Sequence, residues 1–285
     1  MIQSMTGYGK TELQLPTKKV TIEIKSLNSK NLDLNVRTPS YYKEKELEVR
    51  KKIANKLVRG KVDFSIFVES IGSIVSSQIN EDVVKSYIKQ LKGMSNASEL
   101  ELLQMAMQLP ETIQSKREEL DENEWSLIDN AINETLDKIV VYRKDEGATL
   151  KKDFEKRIKI IDDLLFQAVE LDPQRIESIK EKLQKAIVEL EVKVDENRFE
   201  QELIYYLEKL DITEEKVRLK NHLEYFLKEL LSDNSNGKKL GFITQEIGRE
   251  INTIGSKSNF AEMQKVVVQM KDELEKIKEQ NLNVL

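Results

Sequence analysis

Val20-Thr21-Ile22-Glu23-Ile24-Lys25 alternates apolar and polar side chains residue by residue, the period-2 pattern of a strand with one buried face. Leu32-Asp33-Leu34-Asn35-Val36 repeats it after the turn-like Asn28-Ser29-Lys30-Asn31, and Val62-Asp63-Phe64-Ser65-Ile66-Phe67-Val68 gives a third clear strand. An earlier strand is expected from Met5 to Leu13, ended by Pro16. Residues 41–58 read as a helix, with Leu47, Ile53, Ala54 and Leu57 on its apolar face and Arg59-Gly60 at its end. The order βββαβ predicts a small, mostly antiparallel sheet with a helix on one face.

From Asn80 onward the period becomes that of helices. Short helices are expected at residues 81–92 and 98–108, with Pro110 separating them from the rest. A long stripe follows through Ile128, Ile132, Thr135, Ile139 and Tyr142, and resumes after Glu146-Gly147 as Leu150, Phe154, Ile158, Ile161, Leu165 and Ala168. Asp172-Pro173 predicts a break, because proline disfavours a helical conformation at the residue before it. Ile176, Ile179, Leu183, Ala186 and Leu190 are then expected to run back, completing a coiled-coil-like antiparallel hairpin arm. Three or four helices should fill the last third, with the polar loop at residues 232–237 between two of them. The expectation is an α+β protein in three regions. These are a basic α+β domain at 1–79, a helical region with the hairpin arm at 80–193, and a helical C-terminal domain carrying a polar site at 194–285.

Composition agrees with that class. The 285 residues are 39% apolar and 34% charged, with only 10 Gly and 4 Pro, which argues against both a disordered chain and an all-β sandwich. The absence of cysteine excludes disulfides, thiol catalysis and cysteine-ligated zinc. No run approaches the ~18 apolar residues of a membrane span, and the first seven residues lack a basic or apolar leader pattern. A cytoplasmic protein with no membrane partner is expected. The net charge of −5 hides an asymmetry, since residues 1–79 hold 14 basic against 8 acidic residues. That is either a polyanion-binding end or a set of solvated helix and strand faces.

Candidate chemistry is sparse. There is no P-loop, no HExxH and no EF-hand loop. Thr6-Gly7-Tyr8-Gly9-Lys10 lacks the third glycine of a dinucleotide fingerprint and reads as a close turn or bulge. His222 is the only histidine, which rules out a two-histidine acid–base pair within one chain; Arg218, one helical turn earlier, shares its face. The densest polar set lies in residues 242–257, where Glu246 and Glu250 stand four apart, flanked by Arg249 and Asn252. Like charges at this spacing weaken an isolated helix, so they need a cation. Either arginines of a neighbouring helix supply it, or a hard ion such as Mg²⁺ or Mn²⁺ does. Acidic runs at residues 195–202 and 211–215 could add oxygen ligands, although Thr213-Glu214-Glu215 reads better as a helix start.

The chain also resembles the YicC/YloC family of bacterial endoribonucleases. The resemblance runs in order through Ser4-Met5-Thr6-Gly7-Tyr8-Gly9, Ser26-Leu27-Asn28-Ser29-Lys30-Asn31-Leu32-Asp33, Arg59-Gly60-Lys61-Val62, and Tyr142-Arg143 with Glu146-Gly147. It continues with Asp211-Ile212-Thr213-Glu214-Glu215, Arg218-Leu219 with His222, Gly237-Lys238-Lys239-Leu240-Gly241-Phe242, and Gln245-Glu246. Arg249-Glu250-Ile251-Asn252-Thr253-Ile254-Gly255-Ser256-Lys257 and Lys278-Glu279-Gln280 close it. Lys10, Ser29-Lys30 and Gly248 depart from the commoner residues. The resemblance implies metal-dependent cleavage of RNA by a homo-oligomer, a ring-like hexamer. Residue roles rest on clustering and helix faces instead. Glu246 and Glu250 are the expected ligands of Mg²⁺ or Mn²⁺, and His222 the proton donor to the leaving oxygen. Arg218 and Arg249 would steady the phosphate. Arg59, Lys61, Lys238, Lys239, Asn252 and Lys257 are the further expected RNA contacts. Two other readings compete: a non-catalytic RNA-binding oligomer that presents RNA to other nucleases, and a coiled-coil scaffold.

Overall fold

Strands form where the alternation places them: β1 (Gly7–Gln14), β2 (Lys18–Leu27), β3 (Leu32–Arg37) and β4 (Gly60–Ser70). The computed structural model describes residues 2–71, 77–94, 96–115, 121–189, 196–232 and 234–285. The four strands lie in the order β1-β2-β4-β3, with β3 parallel to β4 and the other pairs antiparallel. A parallel pair needs a crossover connection, and helix α1 (Glu46–Leu57) supplies it. The inward side chains Val20, Ile22, Ile24, Val62, Phe64 and Ile66 are buried against Val49, Ile53 and Leu57 of α1. Leu47, expected on that face, is 73% exposed. Val49 takes the inward position because it precedes Ile53 by one turn.

A small satellite follows. β5 (Ser77–Ile79) pairs with β6 (Ile113–Ser115), and between them lie α2 (Glu81–Lys92) and α3 (Glu99–Met107). Asn80 accepts a hydrogen bond from the Val83 amide to start α2, and Ser98 with Glu101 forms a capping box on α3.

The expected turn of the hairpin arm at Asp172-Pro173 is not present among the described residues. Residues Glu122–Glu189 form one helix, α4, with Pro173 inside it, roughly 100 Å long at ~1.5 Å per residue. The proline forfeits one backbone hydrogen bond, but the neighbouring side chains hold the helix on course. Asp172 is buried and accepts Arg175 Nε at 2.8 Å and Lys216 Nζ at 2.6 Å, while Arg175 Nη1 donates to the Leu210 carbonyl at 3.0 Å. This ionic knot ties both sides of Pro173 to the start of α6 (Thr213–Leu230). Of the expected return stripe Ile179 is buried, Ala186 is exposed, and Leu190 lies outside the described residues.

Helix α4 is the spine of two cores. Its first half packs Ile128, Ile132, Leu136 and Ile139 under the sheet. Its second half packs Phe154, Ile158, Ile161 and Leu165 against α6, α7 (Gly237–Lys257) and α8 (Ala261–Asn281), with α5 (Glu196–Lys209) leading into them. The Gly-Tyr-Gly stretch serves a close crossing with α4 rather than a turn: a Cβ on Gly9 would stand 2.6 Å from the Thr135 carbonyl oxygen.

At residue 142 the stripe shifts by one. Tyr142 is 48% exposed and Arg143 takes the buried position at 2%. Its guanidinium donates to the Leu57, Met5 and Arg59 carbonyls at 3.2, 3.0 and 3.2 Å, and to Ser26 Oγ at 2.5 Å. Burial pushes it down to about 10, so it remains a cation at neutral pH with protein oxygens in place of water. Nearby, Thr6 Oγ1 donates to Glu146 Oε2 at 2.6 Å. Residues near the two ends join beside this knot, where Met5 N donates to the Asn283 carbonyl and Leu285 N to the Gln3 carbonyl. Gly147 permits the approach, since a Cβ there would lie 2.2 Å from the Ile2 carbonyl oxygen. Among the described residues no helix is long and apolar enough to cross a membrane.

Candidate active site at the α6–α7 seam

Helices α6 and α7 run antiparallel, joined by the loop at residues 231–236, with Asn236 Oδ1 accepting the Lys239 amide at 3.0 Å to start α7. Two ion pairs across the seam set their register. Lys239 Nζ meets Glu229 Oε2 at 2.6 Å near the loop, and Lys257 Nζ meets Glu215 Oε1 at 2.7 Å at the far end. Lys239 and Lys257 are about five turns apart at 3.6 residues per turn, so they project along one edge of α7. Glu246 and Glu250 follow Lys239 by about two and about three turns and share that edge. On α6, His222 lies about two turns from both Glu215 and Glu229 and shares theirs. The middle of the seam therefore sets His222 level with Glu246 and Glu250. Arg218, one turn from His222, pairs with Glu214 at 2.5 Å, and Arg249 pairs with Glu246 at 2.7 Å.

Burial separates the two carboxylates. Glu246 is half-buried and answered by Arg249 of its own helix, not by an arginine of a neighbour. Glu250 is only 8% exposed and has no hydrogen bond or ion pair among the described residues. His222 is half-buried and likewise without a partner there. The carboxylate oxygens of Glu250 are not among the buried polar atoms left without a partner, so the side chain is buried along its stem and its charged end reaches the surface of the seam. Such a position suits a group that receives its cation from elsewhere.

Among the described residues no three or more His, Cys, Asp or Glu side chains gather closely enough to hold a metal ion. A cage made of protein side chains alone is therefore absent there. Mg²⁺ is commonly held by one or two carboxylates, with water and substrate phosphate oxygens completing its shell. The unpartnered Glu250, with Glu246 one turn away, fits that mode.

The other expected contacts divide by location. Lys257 donates to Glu215 and to the Asp211 carbonyl at 2.8 Å, and Lys239 is held by Glu229, so both cations brace the seam. Asn252 and Lys238 are exposed. Neither shares the edge of Glu250 and Lys239, because positions one or two apart on a helix do not face the same way. Arg59 and Lys61 belong to the sheet, where Arg59 Nε donates to the Ser29 carbonyl at 3.0 Å and Lys61 is exposed.

Much of the basic excess of residues 1–79 is answered inside the chain. Lys18, Lys45, Lys52 and Lys56 pair with Glu124, Glu122, Asp129 and Asp137 of α4. The acidic run at 211–215 acts as a helix start. Thr213 donates to Asp211, which lowers that carboxyl, and Glu215 turns inward to Lys257. Two seam residues carried no functional reading in the sequence: Tyr225 and Phe242, 43% and 58% exposed. Their signal was spacing, three residues after His222 and four before Glu246.

Comparison with known proteins adds an independent line. Residues 2–152 match the family model described as "Endoribonuclease YicC-like, N-terminal region", and residues 168–285 match "Endoribonuclease YicC-like, C-terminal". A Clostridioides difficile (strain 630) protein named "Probable endoribonuclease YicC" is 33% identical over 293 residues, covering 100% of both chains. A Haemophilus influenzae protein of the same name is 27% identical over 294 residues, again covering 100% of each.

Proposed function

This chain belongs to the YicC-like endoribonuclease family, and from that premise we propose that the α6–α7 seam is where it cleaves RNA phosphodiester bonds. The observation that carries the reading is Glu250, whose carboxylate reaches the surface of the seam with no protein cation beside it, level with an unpartnered His222. Glu250 and Glu246 would hold Mg²⁺ or Mn²⁺. Such an ion, when bound, supplies positive charge against the phosphoryl oxygens and activates the attacking oxygen.

The remaining chemistry belongs to the chain. His222 faces the carboxylates from the opposite helix and donates a proton to the leaving ribose oxygen. Arg218 and Arg249 have side chains 57% and 71% exposed and are paired to acids of their own helices. Both can turn to the phosphate, where charge develops in the transition state. Arg59 and Lys61 would guide the strand at the sheet. The working form is a cytoplasmic homo-oligomer, a ring-like hexamer by family resemblance.

The test is incubation of purified protein with a labelled hairpin RNA, with and without EDTA. Cleavage that requires Mg²⁺ or Mn²⁺ supports the reading. RNA binding with no cleavage under any divalent ion would leave a protein that only presents RNA to other nucleases. A 5′-phosphate on the product indicates attack by water, and a 2′,3′-cyclic phosphate indicates attack by the ribose 2′-hydroxyl.

A further inference from the structure

We propose that Tyr225 and Phe242 form a clamp for one unpaired nucleobase beside the scissile phosphate, making single-stranded RNA the substrate of this seam. The proposal rests on the nuclease reading for the position of that phosphate.

Tyr225 lies one turn from His222 and Phe242 one turn from Glu246, both displaced toward the α6–α7 loop. The register set by the Lys239–Glu229 and Lys257–Glu215 pairs brings the two rings to nearly the same level on opposite helices. Both are well exposed, at 43% and 58%.

Tyr225 is already oriented. Lys239 Nζ stands 5.3 Å from its ring centroid and is anchored by Glu229, whose side chain is only 11% exposed. Glu229 first, and the Tyr225 hydroxyl second, raise the Lys239 ammonium and keep it charged. A ring fixed in advance loses little freedom when a ligand arrives.

The chemistry of the patch matches a nucleobase: two exposed aromatic faces at one level, one of them braced by a lysine over its ring. A base within a duplex is stacked on both faces and cannot enter such a site. An unpaired base can, whatever its identity, because every base has a π-face.

The test uses the full chain in EDTA with two probes, a 12-nucleotide RNA strand carrying 2-aminopurine and the same strand annealed to its complement. Binding of the single strand should quench 2-aminopurine fluorescence, and the duplex should not. Tyr225→Ala or Phe242→Ala should weaken single-strand binding roughly 5- to 150-fold, the equivalent of ~1–3 kcal/mol per stacked base, with duplex affinity little changed. Tyr225→Phe and Phe242→Tyr keep a ring and should restore binding, which separates stacking from a folding defect.

Unchanged single-strand affinity in both alanine variants overturns the clamp, as does an equal loss on the duplex. A wild type that quenches as expected yet cleaves nothing keeps the clamp and removes the nuclease. A wild type that cleaves while the alanine variants bind and cut as it does removes the clamp alone.

Discussion

Lys257 Nζ lies 2.7 Å from Glu215 Oε1 across the α6–α7 seam, and this pair governs which side chains face one another along it. Glu215 is 6% exposed, and its second carboxylate oxygen has no hydrogen-bond partner. Removing the lysine strands a buried charge, so Lys257→Met should lower stability by about 2–4 kcal/mol. Adding Glu215→Gln should recover most of that loss, because the bare carboxylate disappears with its partner. Denaturant unfolding of the two single variants and the double variant measures the coupling. Strictly additive losses would mean the pair does not set the seam.

Glu250 is expected to behave differently. Glu250→Gln removes a charge that has no protein partner and reaches solvent, so the melting temperature should change little while cleavage falls at least ~100-fold, the scale of a lost electrostatic stabiliser. Added Mn²⁺ should raise the melting temperature of the wild type more than that of the variant. A folded variant that binds RNA and cleaves at the wild-type rate removes Glu250 from the site.

The sheet was legible because alternation is a local signal: Ile22 and Ile24 face inward as their spacing requires. The course of α4 was not legible. Pro173 is a local signal for a break, and the groups that override it, Lys216 and the Leu210 carbonyl, lie far along the chain. Glu246 and Glu250 were legible as one face of one helix, the part of the candidate site that spacing alone can place. Their pairing with His222 depends on the register set by Lys239–Glu229 and Lys257–Glu215, which no spacing within α7 reveals. Arg143 shows the same limit, since its buried role depends on oxygens from Met5, Ser26, Leu57 and Arg59.

The continuous α4 can be measured directly. The chain has no cysteine, so Lys144→Cys with Lys185→Cys, both exposed positions on α4, gives a clean pair for spin labels. One helix places them roughly 60 Å apart at ~1.5 Å per residue, whereas a hairpin turning at Pro173 would bring them within roughly 25 Å. Pulsed dipolar spectroscopy reads the difference, and a short distance would restore the hairpin.

Glu12 links the acid stability of the sheet to the charge available for RNA. Lys10 and Lys19 each lie 2.7 Å from its carboxylate, and their hydrogen bonds, Lys10 first, hold it down from 4.5 to about 2. A carboxyl lowered in the folded state contributes stability above its unfolded value and loses it as pH falls through the folded one. The stability difference between wild type and Glu12→Gln should therefore be full near pH 6, decline below about 4.5, and vanish near pH 2. Because the group is exposed, 0.5 M salt should shrink the difference at every pH. The same substitution releases Lys10 and Lys19 from their acid. If the sheet lies on the RNA path, Glu12→Gln should bind RNA more tightly at low salt, with a steeper fall of affinity as salt rises. Denaturation from pH 2 to 7 and a salt series on a labelled RNA check the two halves separately. A pH-independent stability difference would show that the carboxylate is not held by its lysines. An unchanged salt slope would place the end of the sheet that carries Lys10 and Lys19, where Lys19 stands eight residues along β2 from Leu27, the partner of Lys61, outside the RNA path.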